Sequence, residues 1–362
     1  MTESTQPCVG AGALPPLDVL DDIERLERDP ATRMLIRTGQ TIGCFYIESP
    51  AMRSLFARLK CSSYRDVVAA SSIIRPGVAE SGMMKEFILR YRHPKRIRKS
   101  HPRLDALLEE TFGVMVYQED VIRVAHEIGG LSLAEADLLR RAMSGKGRSR
   151  EAMKALSGRF LESCAAQGIG PEAAADIWRQ IESFAGYSFC KGHSAAFAVL
   201  SFQVAWLKAH YPAEFLAAVL ANGGGFYAPA AYVSEARRMG LRVLPPDVNA
   251  AQMDCAGRTE APLPPEDPPP GHRSQCQGWI RVGFRAIRNF PEKIARRILE
   301  QRDRNGPFAS LKDFLERTRC GHEAADKLIR AGGFDAIEPN RARSLLALDA
   351  SFNAPPRDLL SQ

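Results

Sequence analysis

Residues 181–215 read IESFAGYSFCKGHSAAFAVLSFQVAWLKAHYPAEF. A polar turn carrying Lys191 and His193 runs directly into an apolar segment, Ala195 to Leu207, which closes at His210, Tyr211 and Pro212. The length of that run, with Ser194 placed as a cap and a proline just past the end, predicts a buried core helix rather than a strand. Ser201, Gln203 and Lys208 interrupt it, and the unbroken apolar part falls short of the roughly 20 residues needed to cross a bilayer. The reading is a core helix, not a membrane span. Lys191 and His193 stand at its mouth, beside N–H groups that lack intrahelical partners and at the positive end of the helix dipole. Such a place suits an anion, above all a phosphate.

Composition bounds the rest. A chain of 362 residues, 45% hydrophobic and 25% charged, has material for two or three domains with cores of their own. Its formal charge of +7 points to an anionic partner. Eight cysteines occur without any C-x-x-C pair, which argues against a zinc ribbon or a thioredoxin-like site and for reduced thiols. The N-terminal MTESTQPCVGAGALPP has no basic region followed by an apolar core, so the expected location is the cytoplasm.

Working outward along the chain, residues 1–16 are expected to be disordered and Leu17–Arg28 to form one amphipathic helix. Ile42–Ile47 reads as a short strand that delivers the chain to a helix capped by Ser49 with Pro50 at its first position. Arg75 precedes a Pro-Gly turn, either as a solvated loop charge or as a positioned phosphate ligand. Lys85–Arg103 carries eight Lys or Arg, among them Lys95, Arg96, Arg98 and Lys99, against the single acid Glu86. That run is either a solvated loop or a nucleic-acid backbone contact. Ser132 and Glu135 form a capping box, and the helix they start places Arg140 and Arg141 within reach of Asp137. Lys146, between Gly145 and Gly147, continues the basic cluster: a solvated face, or a phosphate cradle. Pro171–Phe184 is a further helix, 222–227 (NGGGFY) a connection, and 240–249 a strand ending in a Pro-Pro turn. Residues 257–278, rich in proline and polar residues, read as a linker and a domain boundary. Trp279–Phe284 is expected as a strand, Glu292–Arg302 as a basic amphipathic helix, and residues 336–362 as a frayed tail.

Six segments carry a resemblance: GCFYIESPAMRSL, SIIRPGVAESGM, GVMVYQEDVIRVA, SLAEADLLRRAMSGK, the 181–215 stretch and VLPPDVN. Together, and in order, they resemble the alpha subunit of bacterial DNA polymerase III, the C-family replicative polymerases, with wording similar to the error-prone, damage-associated branch. The resemblance covers residues 35–335. It implies a mainly α fold, with a multi-helix fingers domain containing short strands over 41–250. Residues 1–40 precede the fingers, 251–278 form the linker, 279–335 a small helix-hairpin-helix-like domain and 336–362 the tail. Carried over position by position, the implied triphosphate ligands are Arg140 and Arg141, with Lys146, Arg75, Lys191 and His193 behind them. The candidate DNA contacts are Lys95, Arg96, Arg98 and Lys99 of the basic run and, in the helix-hairpin-helix-like region, Arg285, Arg288, Lys293, Arg296 and Arg297. Two departures stand out: Cys190 and Gly192 replace the family's asparagine and serine, and Asn289-Phe290-Pro291 occupies the place of two hairpin glycines. Proline has no N–H to donate.

What the resemblance implies chemically is template-directed DNA synthesis in replication and damage-tolerant repair. That reaction runs on two Mg2+ ions held by palm carboxylates, two of them as Asp-x-Asp. The sequence contains no Asp-x-Asp, and Asp18, Asp21 and Asp22 lie in a helical context. The expectation is a nucleotidyltransferase segment that binds dNTP and DNA, contributes no catalytic or metal-ligating residue, and works with a palm-bearing chain. The alternatives are a DNA- or nucleotide-binding module without chemistry, and a decayed gene fragment.

Overall fold

Prolines and capping side chains set where the helices begin. Pro30, Pro50, Pro102, Pro212 and Pro229 each stand at or next to a first helical position, where the missing N–H costs nothing. Asp22, Asp29, Ser49, Ser63 and Ser310 each accept a first-turn N–H. The computed structural model describes residues 14–74, 82–94, 101–143, 150–183, 190–266 and 275–353. Seventeen α-helices and one three-stranded sheet lie among them, so the fold is mainly α. The chain divides into two compact units, Asp18–Ala205 and Met1–Leu17 with Trp206–Gln362.

The first unit holds α1 (Ile23–Arg28), α2 (Pro30–Thr38), α3 (Pro50–Leu59), α4 (Tyr64–Ile73), α5 (Met83–Arg92), α6 (Pro102–Leu107), α7 (Gln118–Glu127), α8 (Leu133–Met143), α9 (Arg150–Ala166) and α10 (Pro171–Ser183). The longest helix, α11 (Lys191–His210), starts in this unit. It matches the predicted core helix: Ala198, Phe202, Ala205, Trp206 and Ala209 are buried at helical spacing, while Leu200 is exposed. Its start differs from expectation. Ser194 is not the cap; it lies in the first turn, buried, and meets the Ser72 hydroxyl of α4 at 2.7 Å.

Other expectations in this unit are also corrected. Leu17–Arg28 is not one helix, because Asp22 ends a 3-10 turn (Leu17–Asp21) and caps α1 through the Arg25 N–H. Residues 42–47 form turns rather than a strand. Gly43 and Tyr46 both take positive φ, Cys44 and Ile47 donate to Thr41 and Cys44, and the Gly43 N–H is taken by the Glu48 carboxylate. The β-favouring side chains are there, but local hydrogen bonds override their preference. The capping box at Ser132 and Glu135 forms as read, with bonds of 2.9 and 3.3 Å.

The second unit continues with α12 (Pro212–Asn222), α13 (Pro229–Arg238), β1 (Arg242–Leu244), β2 (Ala256–Ala261), β3 (Gln277–Arg281), α14 (Glu292–Asn305), α15 (Leu311–Thr318), α16 (His322–Ala331) and α17 (Arg341–Asn353). The sheet runs β1-β3-β2, parallel at β1/β3 (Val243 opposite Ile280) and antiparallel at β2/β3 (Gly257 opposite Ile280). Here the linker reading fails. The described residues of that stretch, 251–266 and 275–278, lie within one compact unit, and 256–261 are a strand. The Glu214 carboxylate of α12 accepts the Thr259 N–H (2.8 Å) and hydroxyl (2.5 Å). A Cβ at Gly257 would stand 2.2 Å from the Ala213 carbonyl oxygen, so the missing side chain is what lets helix and strand touch. The tail reading fails as well: α17 covers 341–353, buries Ser344 and Leu348, and is tied back through Arg341 to Asp335.

Phe314 anchors this unit's core between Phe308 and Phe334, with ring centroids at 5.1 and 5.0 Å in edge-on geometry. Around them pack Phe284, Ile298, Leu328 and Leu348. Cys276 and Cys320 are buried free thiols, pushed up by burial to about 12 and about 11. At the end of α11, Lys208 is wholly buried and meets Glu235 of α13 at 2.9 Å; Arg238, partly exposed, holds the other Glu235 oxygen at 2.9 Å.

That arrangement makes the two partners unequal. Glu235→Ala leaves a buried ammonium without its carboxylate and should cost about 3–5 kcal/mol. Lys208→Met leaves Glu235 held by Arg238 and should cost clearly less. Urea unfolding followed by Trp206 and Trp279 fluorescence checks the order.

Candidate nucleotide and nucleic-acid interface

In the first unit the predicted phosphate ligands among the described residues fall into two clusters, each with its own acids. Arg140 and Arg141 close α8, three and four residues after Asp137, and both reach it: Arg140 Nη2 to Oδ1 at 2.8 Å, Arg141 Nη2 to Oδ2 at 2.7 Å. The hydrogen bond from Arg140, joined by that from Arg141, holds the Asp137 carboxyl below its ordinary value. Arg141 is the more exposed of the two, at 70% against 32% for Arg140. It is the readier to meet a solvent-borne anion.

Lys191 and His193 share the first turn of α11. The anion expected at this helix mouth is the protein's own: the Glu119 carboxylate of α7 accepts the Lys191 N–H through both oxygens, at 3.0 and 2.9 Å. The Lys191 ammonium meets Glu110 at 2.5 Å and lies 5.3 Å from the centre of the Tyr117 ring. Burial pushes the Tyr117 hydroxyl up, with Glu110 adding to it. His193 packs edge-on against Phe197 at 4.3 Å, and Tyr46 stacks on the same ring at 5.2 Å and 25°. A half-exposed aromatic surface of Phe45, Tyr46 and Phe197 thus lies beside the cations of the α11 start.

Sequence reading missed Glu110 and Glu119. They stand 81 and 72 residues before Lys191, and nothing in the local pattern of either segment ties them to it. Arg75, Lys146, Lys95, Arg96, Arg98 and Lys99 lie outside the described residues.

In the second unit the basic residues gather around α14. Arg288 and Lys293 are exposed, Arg297 is half-buried, Arg285 pairs with Asp254 and Arg296 with Glu292. The turn before α14 forms without the two glycines. Asn289 takes φ +54 and its carbonyl accepts from Lys327 at 3.0 Å; asparagine is among the few residues that enter this region readily. Pro291 is the N-cap, outside the helix, so its missing N–H leaves the first-turn donors of Glu292 and Lys293 in place, with no side-chain cap on them. The second hairpin turns at Arg319 (φ +48), Cys320 and Gly321 into α16, again without a side-chain cap. Gly332-Gly333, by contrast, is no donor turn: it is the C-cap of α16, with both N–H groups spent on Ile329 and Leu328.

Comparison with known proteins places these features. Residues 19–168 match the family model described as bacterial DNA polymerase III alpha subunit finger domain, and residues 240–344 the one described as helix-hairpin-helix motif. An error-prone DNA polymerase of Symbiobacterium thermophilum is 38% identical over 331 residues, 88% of this chain and 30% of the relative. The DNA polymerase III subunit alpha of Thermus aquaticus is 37% identical over 91% of this chain and 26% of its own length. That of Escherichia coli K12 is 35% identical over 94% and 28%. The chain spans less than a third of the length of these curated relatives.

The left-handed turn yields a direct test. Asn289→Gly should leave stability nearly unchanged, whereas Asn289→Val should lower it by about 1–2 kcal/mol, read from urea midpoints.

Proposed function

We propose, for a chain that belongs to the bacterial DNA polymerase III alpha-subunit family, that it is the nucleotide- and DNA-binding part of an error-prone, template-directed DNA polymerase. The observation that carries the reading is the joint occurrence of the finger-domain match over 19–168 and the helix-hairpin-helix match over 240–344 with clustered cations at helix ends in both regions. In this reading Arg140, Arg141, Lys191 and His193 neutralise and orient the triphosphate of an incoming nucleotide. Arg75 and Lys146 belong to the same assignment. Two hairpins serve duplex DNA: the uncapped first turns of α14 and α16 offer backbone N–H groups to phosphates, and Arg285, Arg288, Lys293, Arg296 and Arg297 add charge. Lys95, Arg96, Arg98 and Lys99 extend the electrostatic contact. The setting is DNA replication and repair synthesis past damage.

Phosphodiester formation in such a polymerase calls for Mg2+ on clustered acidic ligands. Among the described residues no group of three or more His, Cys, Asp or Glu is placed to hold a metal ion, and the sequence has no Asp-x-Asp. The described residues do not fit the ion, and we assign this chain binding and positioning, with a palm-bearing chain as its partner. No helix among the described residues is long and apolar enough to cross a membrane.

Primer extension tests the assignment, with the purified chain alone and with palm-bearing chains added. The expected result is no extension by the chain alone and extension on complementation; extension by the chain alone overturns the division of labour. In the complemented reaction Arg141→Ala should raise the KM for dNTP by about tenfold. Retention of duplex DNA should fall steeply between low and moderate salt, and retention without extension under any condition favours a binding module without chemistry.

A further inference from the structure

The two carboxylates at the start of α11 are held in different ways. Glu119 comes from the first turn of α7 and gives both oxygens to one backbone N–H, that of Lys191, at 3.0 and 2.9 Å. Its bond fixes the main chain and leaves the ammonium untouched. Glu110 comes from a three-residue 3-10 turn, Glu109–Thr111, and touches the Lys191 side chain alone, at 2.5 Å. Both ends of that pair face solvent, with side-chain exposures of 41% for Lys191 and 45% for Glu110. A half-exposed ion pair is weak and opens easily, whereas a carboxylate on a helix-start amide is part of the helix's own capping.

We propose that Glu110 is the resident counter-ion of Lys191, and that an incoming polyphosphate binds by exchange: Glu110 releases the ammonium to a phosphate oxygen while Glu119 stays on the α11 amide and holds the lysine in place. Glu110 thereby sets the affinity of the site, and Glu119 is a positioning residue. The inference rests on the triphosphate reading given above. Exchange keeps the ammonium paired at every stage, so the empty site carries no isolated cation, and the cost of opening the pair is subtracted from the binding of any anion that uses Lys191. The two acids therefore act with opposite sign. Removing Glu110 tightens polyphosphate binding; removing Glu119 loosens it.

The test is titration of the full chain at low salt with inorganic tripolyphosphate and, in parallel, with dATP. Glu110→Gln should lower the Kd for both ligands about two- to fivefold. Glu119→Ala should raise it, with partial recovery in Glu119→Gln, whose amide oxygen still accepts. Lys191→Ala should raise Kd about tenfold, and in that background Glu110→Gln should have no effect. Loss of affinity in Glu110→Gln, or the same gain with and without Lys191, overturns the exchange while the triphosphate reading stands. Equal binding by the unaltered chain and Lys191→Ala removes that reading and the inference with it. Near-ultraviolet circular dichroism of each variant identifies any change that reflects loss of folding.

Discussion

An ammonium group wholly removed from water must be met by a carboxylate, and the seat of α11 in the second unit is governed by that demand. Lys208, two residues from the end of α11, is wholly buried. Desolvating it costs several kcal/mol before any partner is counted. Glu235 supplies the partner, and Arg238 steadies Glu235 from the rim. Since a slip of α13 by one residue would turn Glu235 away, the pair fixes the register of α11 against α13. The sheet follows, because the chain leaves α13 directly into β1 and Cys276, just before β3, donates its N–H to the Met239 carbonyl at 2.7 Å.

The other end of α11 is seated by neutral and acidic oxygen atoms. Ser72 meets Ser194, the Tyr64 hydroxyl takes the Ala195 carbonyl at 2.9 Å, and Glu119 holds the first amide. The three contacts come from the end of α4, the start of α4, and α7. A helix start fixed at three points is a rigid mount for Lys191 and His193. Rigidity there is what a phosphate site needs, since charge placed before the ligand arrives need not be ordered afterwards.

How much of this was legible in the sequence depends on how far each determinant reaches. The long helix was plain because its apolar run and terminal proline are local. Ser49, Pro50 and the Ser132–Glu135 box were plain for the same reason. The extra turn at the start of α11 was not, because its cap sits 72 residues away in α7. Strand β2 was hidden for a similar cause. AGRTEA has little alternation to announce it, and what orders it is Glu214, 45 residues earlier. The tail misled through composition, since Leu348 becomes a core residue only once Phe314 and Leu328 are in place to receive it. At the first hairpin the reading turned on the N–H that Pro291 lacks, yet Pro291 stands outside the helix and Asn289 makes the left-handed turn. Charge clusters were found easily; of the acids that neutralise them, Asp137 was plain from its spacing on the helix, and Glu110 and Glu119 were not.

The second compact unit is assembled from two separated pieces of chain. Its N-terminal piece is held by the Tyr211 hydroxyl, which donates to the Pro15 carbonyl across 196 residues. The other unit is continuous and closes when Gln203 donates to the Leu20 carbonyl. On the ribosome these two closures come at different times. Residues 18–205 can complete their contacts once α11 has emerged as far as Ala205, while the segment around Pro15 waits until Tyr211 arrives. Synthesis from N- to C-terminus thus imposes an order of assembly that runs from the middle of the chain outward.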